Sequence, residues 1–124
     1  MRSVHSRSST PEITSTPAAS NGKLFIGSYD NMFRALDSHT GQEIWKYPTG
    51  DKIHSSAAVG GGLVFFASYD GNVYALNETN GKLVWNYDTG STQLLRSSPA
   101  LAGGRLYMGL ENGWVVAFGK APDL

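Results

Sequence analysis

At 124 residues, 40% of them apolar, the chain can bury the core of one domain. Its 10 basic and 10 acidic residues cancel and lie singly, which excludes an electrostatic grip on nucleic acid or on an anionic membrane. The absence of cysteine excludes disulfides, thiolate zinc sites and a cysteine nucleophile, and no apolar run approaches the ~20 residues of a membrane span.

Residues 1–12 are rich in Ser and Thr and have no apolar central stretch, so they predict a disordered N-terminal segment and no signal peptide in this chain. From there the chain repeats itself. Gly27-Ser28-Tyr29-Asp30-Asn31 returns 40 residues later as Ala67-Ser68-Tyr69-Asp70-Gly71, and Thr40-Gly41, Trp45, Tyr47 and Thr49-Gly50 return as Asn80-Gly81, Trp85, Tyr87 and Thr89-Gly90. A third copy is offset by 42, from Ser97-Ser98-Pro99-Ala100 through Gly109-Leu110-Glu111-Asn112-Gly113 to Ala117-Phe118. The units are 13–50, 51–90 and 91–119, followed by a tail over 120–124.

Each unit reads as four short antiparallel strands. In the second they fall at Ser55 to Val59, Leu63 to Ser68, Asn72 to Asn77 and Leu83 to Asp88, separated by Gly60-Gly61-Gly62, Asp70-Gly71 and Asn80-Gly81. Such turns accept positive φ and so suit tight hairpins. The second strands are continuous apolar runs, Leu24-Phe25-Ile26, Leu63-Val64-Phe65-Phe66 and Leu106-Tyr107-Met108, as expected of strands covered on both faces. The fourth strands alternate, placing Trp45 with Tyr47 and Trp85 with Tyr87 on one face. Four-stranded sheets stacked around an axis make a β-propeller, so the expectation is an all-β chain of three four-stranded blades of about 40 residues. The third blade lacks its outer strand, which Met1 to Ser9 could supply as an alternative to disorder.

The segment Ala35-Leu36-Asp37-Ser38-His39-Thr40-Gly41-Gln42-Glu43-Ile44-Trp45 resembles the tryptophan-docking motif A-x-D-x-x-T-G-x-x-x-W of the pyrroloquinoline-quinone-like (PQQ-like) propeller repeats. The second unit keeps Ala75, Gly81 and Trp85 but has Asn77 for Asp and Asn80 for Thr, and the third departs after Ala117. A WD-type repeat has a similar period but needs a Trp-Asp pair, where this chain has Trp45-Lys46 and Trp85-Asn86. The resemblance implies that Trp45 and Trp85 rivet one blade to the next. It also implies two kinds of relative: noncatalytic propellers of outer-membrane barrel assembly and of bacterial sensor kinases, and quinoprotein alcohol or sugar dehydrogenases that hold PQQ with calcium. A weaker likeness is to the luminal stress-sensing domains of eukaryotic kinases.

The dehydrogenases' vicinal disulfide has no counterpart here, and Trp114 is the one indole outside the motif, better suited to packing than to stacking a cofactor. No cofactor is therefore expected in this chain; PQQ and calcium belong to the alternative. His5, His39 and His54 have no metal-ligand spacing, and Gly60-Gly61-Gly62 lacks the helix and Lys-Ser/Thr of a phosphate loop. Asn77-Glu78-Thr79 meets the N-glycosylation pattern inside a tight turn. In a propeller, the connectors into the inner strands and the loops between second and third strands open on one face. That face would display Tyr29, Asp30, Lys52, His54, Tyr69, Asp70, Gln93, Arg96 and Glu111. Asp30 and Asp70 also suit a purely turn-forming role.

The expected function is a noncatalytic scaffold for a protein or peptide partner; the alternative is a fragment of a PQQ-dependent dehydrogenase. An open edge in the third blade predicts self-association as a homodimer, or completion by missing blades of a longer chain. Family resemblance places such a protein in the periplasm or at the cell surface.

Overall fold

The computed structural model describes residues 17–90, 98–109 and 115–118. They form eleven antiparallel strands: β1 (Ala18–Ser20), β2 (Lys23–Gly27), β3 (Met32–Asp37), β4 (Glu43–Pro48), β5 (Ala58–Gly60), β6 (Leu63–Ala67), β7 (Asn72–Asn77), β8 (Leu83–Asp88), β9 (Ala100–Ala102), β10 (Arg105–Gly109) and β11 (Val115–Phe118). Two four-stranded sheets, β1 to β4 and β5 to β8, are followed by a three-stranded one, β9 to β11, each a simple meander. The innermost strands β1, β5 and β9 touch in succession, so the sheets fan out as propeller blades. Among the described residues no helix is long and apolar enough to cross a membrane.

Local sequence explains each return of the chain. The inner hairpins turn on Asn21-Gly22, Gly61-Gly62 and Gly103-Gly104, whose paired positive φ values match the twist of the flanking strands. The β3–β4 turn is held by Asp37, whose Oδ1 accepts the N–H groups of His39 at 2.8 Å and Thr40 at 3.0 Å. Asn77 does the same between β7 and β8, accepting from Thr79 at 2.8 Å and Asn80 at 3.2 Å. A carboxamide oxygen thus replaces the carboxylate without changing the turn. Both sheets carry a bulge at the same place, between Ala35 and Leu36 and between Ala75 and Leu76.

The core lies between sheets. Phe25, Phe33 and Trp45 of the first pack against Val64, Phe66, Tyr74 and Leu76 of the second, with Ile53 of the connector closing one end. Phe33 and Phe66 stack at 3.9 Å between centroids, 2° from parallel. The other side of β6 turns Phe65 and Ala67 toward Leu106 and Met108 of β10. Alternate residues of β6 therefore serve two interfaces, as its continuous apolar run requires. The Trp45 indole is 8% exposed and donates its N–H to the Glu78 carbonyl at 3.1 Å. Gly81 lies so close beneath it that a Cβ there would stand 2.5 Å from the ring.

Three expectations need correction. The inner strand of the second unit runs over Ala58–Gly60 rather than Ser55 to Val59. Ser55 leaves the ladder because its hydroxyl takes the Ala67 N–H at 2.9 Å and donates to the Ala67 carbonyl at 3.2 Å. The second strand of the same unit ends at Ala67, since the Ser68 N–H bonds to the Asn72 carbonyl across the turn. In the third unit Tyr107 is 37% exposed, so β10 is covered on one face only, toward β6. Residues 1–12, the option of a strand from Met1 to Ser9, and the tail over 120–124 lie outside the described residues.

Truncating Trp45 removes a buried ring and leaves a cavity between two sheets. Trp45→Ala should lower stability by about 3–5 kcal/mol, and Trp85→Ala, at a half-buried ring, by distinctly less. Urea melts of the two variants check this ordering; equal losses would contradict it.

Candidate functional site

The connector from β4 to β5 is pinned from both sides. Ile53 is fully buried, and Gly27 opposite has no space for a side chain: a Cβ there would lie 2.2 Å from the Ile53 Cγ2. The Ile53 N–H bonds to the Ser28 carbonyl at 3.1 Å and the Tyr69 N–H to the Lys52 carbonyl at 2.8 Å. The Ser68 hydroxyl lies 3.0 Å from the Asp51 carbonyl and 3.2 Å from that of Lys52. With Ile53 turned inward, its neighbours Lys52 and His54 remain exposed and half-buried.

Four of the residues expected on the loop face come together there. Tyr29 from the β2–β3 turn, His54 from the connector and Tyr69 from the β6–β7 turn form a ring cluster, with centroid separations of 6.2 Å for Tyr29–His54, 6.1 Å for His54–Tyr69 and 6.3 Å for Tyr29–Tyr69. His54 and Tyr69 are nearly parallel, at 11°. The Lys52 ammonium stands 5.8 Å from the Tyr29 ring centre, within cation–π range. The three rings are half-buried. They offer flat apolar surface together with phenol, imidazole and ammonium groups.

Asp30 is occupied by its own sheet, and Asp70 by its own sheet and by the connector that follows β4. Asp30 takes the Arg34 guanidinium at 2.6 Å and 3.2 Å, the Ser28 hydroxyl and the Met32 N–H at 3.1 Å. Burial works to raise its pKa, but the hydrogen bonds from Arg34, Ser28 and Met32 outweigh it and hold the carboxyl below its ordinary value. Arg34 also reaches Glu43 at 3.4 Å. Asp70 accepts the Tyr74 hydroxyl, the Gly50 N–H at 2.9 Å and the Asn72 N–H at 2.9 Å. Burial, then the bond to Asp70, pushes the Tyr74 phenol well above its usual pKa. The sequence reading missed Arg34 and Tyr74 as partners. Their signal was present: each lies four residues beyond its Asp, on the following strand.

Gln93, Arg96, Glu111, Trp114 and His5 lie outside the described residues. His39 is exposed beside Ser38. Of the motif residues, Ala35 and Ala75 are fully buried, while Thr40 is exposed at the turn and its hydroxyl accepts the Gln42 N–H at 3.2 Å. Glu78, 5% exposed, was missed as a link between sheets: its Oε2 accepts from Asn21 at 2.9 Å and from Ser20 at 3.4 Å. Among the described residues no group of three or more His, Asp or Glu could hold a metal ion. Both loop-face aspartates are engaged by hydrogen-bond donors.

The family model described as outer membrane protein assembly factor BamB matches residues 2–121. A "1-butanol dehydrogenase (quinone)" of Thauera butanivorans is 33% identical over 52 residues, which are 42% of this chain and 8% of that protein. The quinohemoprotein alcohol dehydrogenase of Pseudomonas putida superposes with a TM-score of 0.78 at 22% identity, over 88% of this chain and 19% of the other. BamB of Moraxella catarrhalis gives 0.72 at 22% identity, over 83% of this chain and 32% of the other. At these identities the superpositions show a shared fold, and the chain spans a third or less of each of these relatives.

The Asp30 cluster sets an acid limit on stability. Its carboxyl titrates lower in the fold than in the unfolded chain, so its contribution is present above about pH 4 and is lost as pH falls through the lowered folded-state value. Asp30→Asn should be less stable than the parent at pH 7, and the gap should close on acidification below pH 4; a gap constant with pH in urea melts would contradict this.

Proposed function

Since the chain belongs to the outer membrane protein assembly factor BamB family of PQQ-like repeats, we propose that it is a noncatalytic propeller scaffold whose loop face binds a protein or peptide partner. The observation that carries this reading is the convergence of Tyr29, His54, Tyr69 and Lys52, on loops of two sheets that backbone hydrogen bonds hold rigid. Half-exposed aromatic rings on a fixed backbone provide contact area at little cost in side-chain ordering. Asp30 and Asp70 support that backbone instead of reacting. The family's description, an outer membrane protein assembly factor, supports a site of work in the periplasm or at an outer membrane.

The 33% identity to a quinone-dependent butanol dehydrogenase favours a second reading, in which the chain is part of a longer dehydrogenase. That reading puts the cofactor's ligands on sheets beyond the described residues. Two experiments separate the readings. Benzoylphenylalanine in place of Tyr69 should cross-link a protein partner in the native host, in competition with the unmodified chain. The same probe at Thr79, exposed at the other end of β7, should not. Reconstitution with PQQ, calcium and an artificial electron acceptor should give no turnover; saturable oxidation of any alcohol or sugar would overturn the scaffold.

We further propose that the sheet stack associates with others. Tyr107 leaves the outward face of the third sheet partly apolar, at 37% exposure. Propellers close with roughly four to eight blades, so two copies would supply enough. Light scattering should give about twice the 13.3 kDa chain mass, and a cooperative monomer would exclude the dimer.

A further inference from the structure

On the reading that the loop face binds a partner, the chemistry it selects is set by Lys52. Lys52 is exposed. Among the described residues no carboxylate forms an ion pair with it. The nearby acids are engaged: Asp30 by Arg34, Asp70 by Tyr74 and two backbone N–H groups, and Asp51 by the backbone N–H of Lys52 at 2.7 Å. Because the Lys52 carbonyl is fixed by the Tyr69 N–H, the side chain leaves from a rigid root and its ammonium lies over the Tyr29 ring.

This arrangement discriminates by charge. A cationic side chain approaching Tyr29 would meet the ammonium already there. A carboxylate would find that ammonium unneutralised, with the His54 ring beside it, while an apolar or aromatic neighbour could lie on the Tyr29 and Tyr69 rings. One lysine on a chain of zero net charge cannot hold a polyphosphate strand, whose binding needs several neutralised phosphates. We propose that the Tyr29–His54–Tyr69 cluster with Lys52 is the seat for an acidic peptide carrying a carboxylate next to an aromatic or aliphatic side chain.

The test uses the intact chain and three short fluorescein-labelled peptides, of tyrosine alternating with glutamate, glutamine or lysine, followed by anisotropy at low salt. The glutamate peptide should bind best and the lysine peptide worst. Lys52→Glu should weaken the glutamate peptide roughly two- to fivefold, as expected for losing one exposed charge contact, and Lys52→Arg should retain it. Because Lys52 is exposed, the circular dichroism and urea midpoint of these variants should match the parent. Equal binding of all three peptides, no effect of Lys52→Glu, or no binding of the glutamate peptide would overturn the proposal. Tyr69→Ala separates the two levels: if peptides bind without charge preference but Tyr69→Ala weakens them, the face still binds partners. If Tyr69→Ala also has no effect, the loop-face reading fails as well.

Discussion

A sheet whose two faces are both apolar cannot stand alone in water, and the second sheet is built that way: Val64 and Phe66 point to one side of β6, Phe65 and Ala67 to the other. The contact between the first two sheets is therefore the constraint on which the rest depends. Phe33 stacked on Phe66 and Trp45 seated over Gly81 remove large aromatic surfaces from water together. The indole N–H bonded to the Glu78 carbonyl adds what packing lacks, a fixed register. With that register set, the connector must pass between the sheets at Ile53, and the loop face is assembled as a consequence. Stability in such stacks is a matter of neighbouring interfaces.

The repeat made most of this architecture legible. The matched turns, the apolar second strands and the Trp positions locate two complete sheets and the inner part of a third, because each is a local consequence of residue type. Four of the nine residues expected on one loop face, Tyr29, Lys52, His54 and Tyr69, lie together in the structure, since a propeller's topology dictates which loops share an end; that their rings meet was not read from the sequence. The misreadings came from interactions that sequence spacing hides. Ser55 looks like strand, yet its hydroxyl satisfies both backbone groups of Ala67 in place of the ladder. Tyr107 sits in an apolar run and is nevertheless partly exposed, because burial of a strand's second face depends on what stands next to it.

The loop face also shows how one turn serves two purposes at different depths. Its inner layer is polar and saturated: Ser28 and Ser68, buried, and Asp30 and Asp70 bind backbone or side chains of their own and adjoining segments. Its outer layer is the ring cluster with Lys52. The inner layer makes the outer one rigid, and a rigid outer layer loses less conformational entropy when a partner docks. The two units differ at the strand residue that meets the Asp, Arg34 in one and Tyr74 in the other. An ion pair and a phenol hydrogen bond thus reach the same end, immobilising the turn.

A fold shared between assembly factors and quinone-dependent dehydrogenases cannot by itself assign a function. What distinguishes the possibilities is the use made of carboxylates and rings at the loop end. In this chain both loop-face aspartates are bound by hydrogen-bond donors, one of them a guanidinium. Releasing either would loosen the turn that positions its neighbouring tyrosine. The aspartates that hold the two turns therefore also fix the shape of the surface on which any partner or ligand would settle.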